Sequence, residues 1–124
     1  MKMNTIKENI IVEKSFQLAL KIVSFCELLE ARNKNVISRQ LLRSGTSIGA
    51  NIRESQNSES IEDFIHKLKI AAKEANETEY WLMICKQSPN YPFNEKLLDD
   101  IHEIIQILSK IIITSKKHKY EKKK

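Results

Sequence analysis

The sequence predicts an all-α protein, an antiparallel up-and-down four-helix bundle that assembles into a homo-oligomer. Three observations carry this. The 124 residues include only two Gly and two Pro, too few for a turn-rich sheet protein, a collagen-like chain or a disordered linker. Apolar residues recur at spacings of three and four along four segments, parted by short polar or proline-bearing breaks. The first and third segments carry more apolar circumference than one bundle core covers, which points to a partner subunit. The length suits one domain, residues 1–115, followed by a basic, flexible tail at 116–124.

The first helix is expected from Asn9 to Ala31. At roughly 100° per residue, Val12, Phe16, Ala19, Val23 and Cys26 share one face, and Ile11, Leu18, Ile22, Phe25 and Leu29 an adjoining one. Such a helix needs neighbours on two sides. Arg32-Asn33-Lys34-Asn35 makes a turn, and Ser38 is placed to cap a second helix over residues 39–56. Both glycines fall inside it, at Gly45 and Gly49. No preceding strand and no Gly-Lys-Ser/Thr ending make this a phosphate loop. Glycine inside a helix costs about 1 kcal/mol against alanine. Ser44, Gly45, Gly49 and Ala50 therefore read as a site where another helix backbone approaches closely.

Ser60 with Asp63 forms a carboxylate variant of the capping box and starts a third helix that ends near Lys86. Its main stripe is Ile61, Phe64, Ile65, Leu68, Ala71, Ala72, Ala75, Leu82 and Cys85. Ile70, Trp81 and Ile84 form a second strip on the other side and are the expected oligomer interface. The segment Ser88-Pro89-Asn90-Tyr91-Pro92-Phe93 closes off this helix. Asn94 caps the fourth, with Phe93 and Leu98 placed as a hydrophobic staple. Leu97, Ile101, Ile104, Ile105, Leu108, Ile111 and Ile112 then give one apolar face up to Ser115.

Charge is segregated. The chain has 21 Lys and Arg against 16 Asp and Glu, a net of +5. Residues 116–124 hold six Lys and one Glu, so the rest is balanced at 15 of each sign. Asn33 to Arg53 has four basic residues and no acid, while Glu54 to Glu79 has seven acids against three Lys. Attraction between successive helices explains this in one way, and a basic surface for nucleic acid or an acidic partner in another. The candidates for nucleic-acid contact are Lys34, Arg39, Arg43 and Arg53 on the body and Lys116, Lys117, Lys119, Lys122, Lys123 and Lys124 on the tail.

Little points to catalysis. Of the three His, His66 and His102 fall on polar helix sides and His118 in the tail. No His-x-x-x-His, Glu-x-x-His or zinc-spaced Cys pair exists, so no metal, cofactor or enzyme activity is expected. Cys26 and Cys85 sit in apolar patterns and read as buried thiols in a reducing cytoplasm. No apolar run approaches the ~20 residues that span a bilayer, and the first residues lack the pattern of a secretory signal. No membrane association is expected.

Arg43, Ser47, Asn51 and Glu54 fall within about an 80° arc of the second helix. Joined by Glu77 or Glu79 from the third, they make either an interhelical polar strip that fixes register, with Arg43 paired to one of those acids, or an outward face that meets phosphates.

The run Leu42-Arg43-Ser44-Gly45-Thr46-Ser47-Ile48-Gly49-Ala50-Asn51-Ile52-Arg53-Glu54 resembles the Arg-Ser-x-x-Ser-Ile-x-Ala-Asn-Ile-x-Glu signature of the four-helix-bundle proteins encoded in intervening sequences of bacterial large-subunit ribosomal RNA genes. Asp63-Phe64, Glu77-x-Glu79 and Leu82 match that family's third helix, and the likeness spans roughly residues 10–115. It implies a compact antiparallel bundle. Similar accessory variability determinant proteins of diversity-generating retroelements form homopentamers with a basic surface and bind nucleic acid and a reverse transcriptase. The resemblance thus implies a homopentamer, from whose basic surface the near-neutral body of this chain departs.

Two functional readings follow, with a third as contrast. The first is a non-enzymatic oligomer that associates with structured RNA or other nucleic acid through a basic surface. The second is a protein–protein adaptor or scaffold in which Arg39, Arg43 and Arg53 meet acidic side chains. A nuclease, the third, has no carboxylate cluster or His pair to support it.

Overall fold

The computed structural model describes residues 6–122. Four helices make up the fold: α1 (Ile6–Ala31), α2 (Asn35–Ser55), α3 (Ile61–Gln87) and α4 (Glu95–Lys122), with no strand among the described residues. α1 packs on α2, α2 on α3 and α3 on α4, and α4 closes back onto α1. Among the described residues neither diagonal pair brings Cα atoms within 8 Å. None of the helices is long and apolar enough to cross a membrane.

The side chains that close the ring alternate at helical spacing. Ile11, Leu18, Ile22 and Leu29 of α1 meet Leu41, Ile48 and Ile52 of α2, Leu68 and Leu82 of α3, and Leu97, Ile101 and Ile104 of α4, all essentially without exposure. Each such side chain contributes about 1.5–3 kcal/mol on burial. The core thus takes the second of the two α1 faces. Of the first, Cys26 is buried, but Phe16 and Val23 remain 49% and 41% exposed.

Three helix ends follow local chemistry. α1 ends in a Schellman motif: Asn33 takes φ 61°, Lys34 N–H donates to Leu29 O at 2.8 Å and Asn33 N–H to Glu30 O at 2.9 Å. Ser60 accepts from Asp63 N–H at 3.0 Å, capping α3. Asn94 Oδ1 accepts from Lys96 N–H at 3.0 Å, capping α4. Between them Pro89 and Asn90 (φ 69°) form a turn that Tyr91 N–H closes onto Ser88 O at 3.4 Å.

Two expected boundaries are corrected. α2 begins at Asn35, and Ser38 is not its cap: it lies one turn inside, fully buried, with its hydroxyl donating to Cys26 O at 3.1 Å. α4 does not end at Ser115. It continues to Lys122, so residues 116–122 of the expected tail lie on a helix. Lysine is a good helix former, and positive charge is favourable at a helix C-terminus. Lys123 and Lys124 fall outside the described residues.

The glycines sit where α2 crosses α1. A Cβ on Gly45 would lie 2.9 Å from Ile22 Cγ2, and one on Gly49 3.4 Å from the Ser15 backbone oxygen. Ser44 turns instead to α3, where its hydroxyl lies 2.9 Å from that of buried Thr78. Ala50 is exposed and lines the open groove beside that crossing.

Candidate nucleic-acid interface

The polar face of α2 divides into cross-helix pairs and bonds within the helix. Arg43 reaches α3, with Nη1 3.0 Å from Glu74 Oε2 and Nη2 bonded to Glu77 Oε2. The bonds it donates to Glu77 and Glu74 raise the guanidinium further above its ordinary range. Arg43, and then the Trp81 indole N–H donating at 3.1 Å, hold the Glu77 carboxyl below the usual carboxylate range. The Arg43 side chain is still half exposed. It is both paired and solvated, a combination that neither reading of the strip anticipated.

The rest of the strip divides in the same way. Ser47 Oγ donates to Arg43 O at 2.6 Å and Asn51 Nδ2 to Ser47 O at 2.9 Å, so both bond back along their own helix rather than across to a neighbour. Glu54 lies 3.7 Å from Lys67 of α3. Glu79 does not meet Arg43; it faces α4, where His102 Nε2 stands 2.7 Å from its Oε2. Glu74, one turn before Glu77, was the acid that sequence reasoning missed. The i, i+3 spacing of Glu74 and Glu77 is the signal that could have found it.

The other basic candidates are scattered. Lys34 places its ammonium 4.8 Å from the centre of the Tyr91 ring. Arg39 and Arg53 are exposed and, among the described residues, have no acid within salt-bridge reach. Lys116 and Lys117 are exposed on the α4 extension, Lys119 is half-buried there, and Lys122 is the last helical residue. Lys69 of α3, absent from the sequence candidates, stands against Lys116.

Ile70, Trp81 and Ile84 are each half-buried, not openly exposed. Trp81 packs on the core and meets Tyr80 edge-on at 5.3 Å. The more open apolar surface lies between α1 and α2. There Val12, Phe16 and Ala19 face Thr46, Gly49, Ala50 and Arg53 across a groove of about 260 Å³. Its α1 residues belong to the first of the two faces read from the sequence.

Other titratable side chains serve the fold. Lys21 bonds Asp100 at 2.9 Å and Lys14 bonds Glu103 at 3.0 Å, tying α1 to α4. Burial raises the Asp100 carboxyl, but Lys21 and Lys96 outweigh it and leave the group below its usual range. Burial pushes the Cys26 and Cys85 thiols up to about 11. They sit on diagonal helices, too far apart for a disulfide. Among the described residues no three His, Cys, Asp or Glu side chains converge as a metal site.

No curated protein matches the chain. Among solved structures, a protein of unknown function from the S23 ribosomal protein family of Bacteroides thetaiotaomicron VPI-5482 is similar. It is 45% identical, with a TM-score of 0.81 over 86% of this chain and 98% of the other. The family model for 23S rRNA-intervening sequence protein matches residues 7–114, which takes in all four helices and stops just short of the lysine-rich end of α4. This chain belongs to the 23S rRNA-intervening sequence protein family.

Proposed function

We propose that the protein is a non-enzymatic, cytoplasmic, antiparallel up-and-down bundle that assembles into a homo-oligomer and associates with structured RNA. The pairs Lys14–Glu103 and Lys21–Asp100, Arg43–Glu77 and Glu54–Lys67, and Glu79–His102 and Lys86–Glu95 support the antiparallel order. In each set one residue number rises as its partner's falls. The half-exposed α1–α2 stripe supports assembly, with five subunits as the number expected from the resemblance to the retroelement proteins.

The observation that carries the RNA reading is the distribution of basic side chains left over after the ion pairs are drawn. Arg43 is occupied by two carboxylates, whereas Arg53 and, on the α4 extension, Lys116 and Lys117 are exposed. With α2 and α4 both ending there, these charges gather at one end of the bundle. The test is a salt series with the full chain and a structured RNA hairpin. Association through n phosphates gives log K falling against log salt with a slope of about −0.9n for duplex and −0.7n for single strands. Binding that is undetectable even at low salt removes the RNA reading.

A second reading, a protein–protein adaptor, is favoured by Tyr80 and Met83 on α3, which are 60% and 48% exposed. A stoichiometric protein partner that survives nuclease treatment supports it.

A further inference from the structure

The extension of α4 past Ser115 creates a groove with α3 whose α4 side lies beyond the residues that match the family. Lys116 and Tyr120, four residues apart, fall on the α3 side of α4, and Lys119 lies beside them. Opposite, His66 and Lys69 share one face of α3. These five side chains, with Glu62 and Ile65, line a groove of about 340 Å³.

The charges in this groove are uncompensated. Among the described residues none of Lys69, Lys116 and Lys119 forms a salt bridge, and Glu62, the one carboxylate in the lining, is out of reach of all three. The Lys116 ammonium beside it holds Lys69 below the ordinary lysine range. Two adjacent ammonium groups are relieved either by loss of a proton or by arrival of an anion. At neutral pH the anion is the easier route, and a phosphate oxygen set between lysines fills that place.

The groove also offers a ring. Tyr120 is 67% exposed, so its face is open to solvent next to the lysines. Cations that hold a backbone phosphate beside an aromatic face that stacks a base are the parts from which single-strand sites are made. A duplex keeps its bases stacked inside and has none to lay on Tyr120.

We propose that the α3–α4 groove binds a single-stranded segment of RNA, with Lys69, Lys116 and Lys119 holding one backbone phosphate and the Tyr120 ring carrying the adjoining base. This rests on the RNA association proposed above and adds its place, its strandedness and its mode of contact.

The experiment is fluorescence anisotropy on the full chain, using a labelled 12-residue oligo(U) strand and a labelled RNA duplex of the same length across a salt series. The single strand binds more tightly than the duplex. Lys69→Gln weakens it and flattens the salt slope by no more than about 0.7, the value for complete loss of the one phosphate it shares with Lys116 and Lys119. Lys73→Gln removes the same charge one turn further along that face of α3, outside the groove lining, and leaves binding nearly unchanged. Tyr120→Leu costs about 5- to 100-fold in affinity with the slope retained, as loss of one stacked base does; Tyr120→Phe keeps the affinity. Equal effects of Lys69→Gln and Lys73→Gln, a Tyr120→Leu variant that binds as the parent does, or a preference for duplex each overturns the groove and leaves RNA association standing. A chain that binds neither probe nor the hairpin overturns both.

Discussion

Arg43 lies over two glutamates one helical turn apart on α3, which repel each other without it. The pairs are half exposed, so Arg43→Ala is expected to cost no more than about 1 kcal/mol in urea unfolding at neutral pH. Proton linkage sets the sign of the pH dependence. Glu77 titrates below its ordinary 4.5 in the folded chain, so the unfolded chain binds more protons in that window. The stabilisation is fully present above pH 4.5 and is lost as pH falls through the lower folded value. Unfolding at pH 7 and again below that folded value should therefore separate the variant from the parent only at pH 7. A difference that persists in acid means that Arg43 acts through the packing of its methylenes and not through charge. Lys69 is the opposite case, a cation placed beside another cation. The contrast between a neutralised Arg43 and an unrelieved Lys69 moves the search for a binding site from α2 to α3 and α4.

The α1–α2 crossing makes the two glycines of α2 unequal. In both, alanine gains about 1 kcal/mol of helix propensity. At Gly45 the new methyl meets Ile22, which is fully buried and closely held, and overpacking of this kind costs about 1–3 kcal/mol. At Gly49 it stands in ordinary contact with Ser15 at 3.4 Å. Gly45→Ala is expected to lower stability by up to about 2 kcal/mol net, and Gly49→Ala to leave it unchanged or raise it by up to about 1 kcal/mol. Thermal and urea unfolding of the two variants decides this, and equal effects would contradict the crossing as described. Both glycines were legible in sequence as a packing site, because two helix-breaking residues four apart inside a good helix have few other uses. The four apolar stripes and the Ser60 and Asn94 caps were legible for the same reason: they depend on spacing within one helix. The parts that were not legible depend on tertiary partners. Ser38 looks like a cap until the Cys26 carbonyl draws its hydroxyl into the core. Ser47 and Asn51 share an arc with Arg43, yet short polar side chains find their own helix carbonyls before they reach a neighbour. The apolar stripe of α4 stops at Ile112 and hides the helical extension, and with it the pairing of Lys69 and Lys116 across two elements.

Four helices in a ring bury one stripe of each, and α1 has more apolar surface than that geometry uses. Phe16, Leu20 and Val23 stay 49%, 49% and 41% exposed, and Leu42 of α2 37%. The second apolar surface, around Tyr80 and Met83 on α3, is a different patch. Two different patches on one chain suit a heterologous contact, in which the α1–α2 stripe of one copy takes the α3 patch of the next and the ring closes after a fixed number of copies. An isologous dimer needs only one patch meeting itself. Substitution separates the two arrangements without threatening the core, because Phe16 and Tyr80 are open to solvent. Phe16→Asp and Tyr80→Asp are each expected to reduce the native mass of the full chain to that of one subunit, with helix content retained by circular dichroism. Mixing them then provides the sharper result. In a heterologous ring each variant keeps the patch the other has lost, so the mixture forms a one-to-one heterodimer through a single intact contact and goes no further. In an isologous dimer through the α1–α2 stripe, Tyr80→Asp still assembles by itself and the mixture gains nothing. A native mass unchanged in both variants would place assembly on neither patch and leave the apolar surface of α1 to a different protein.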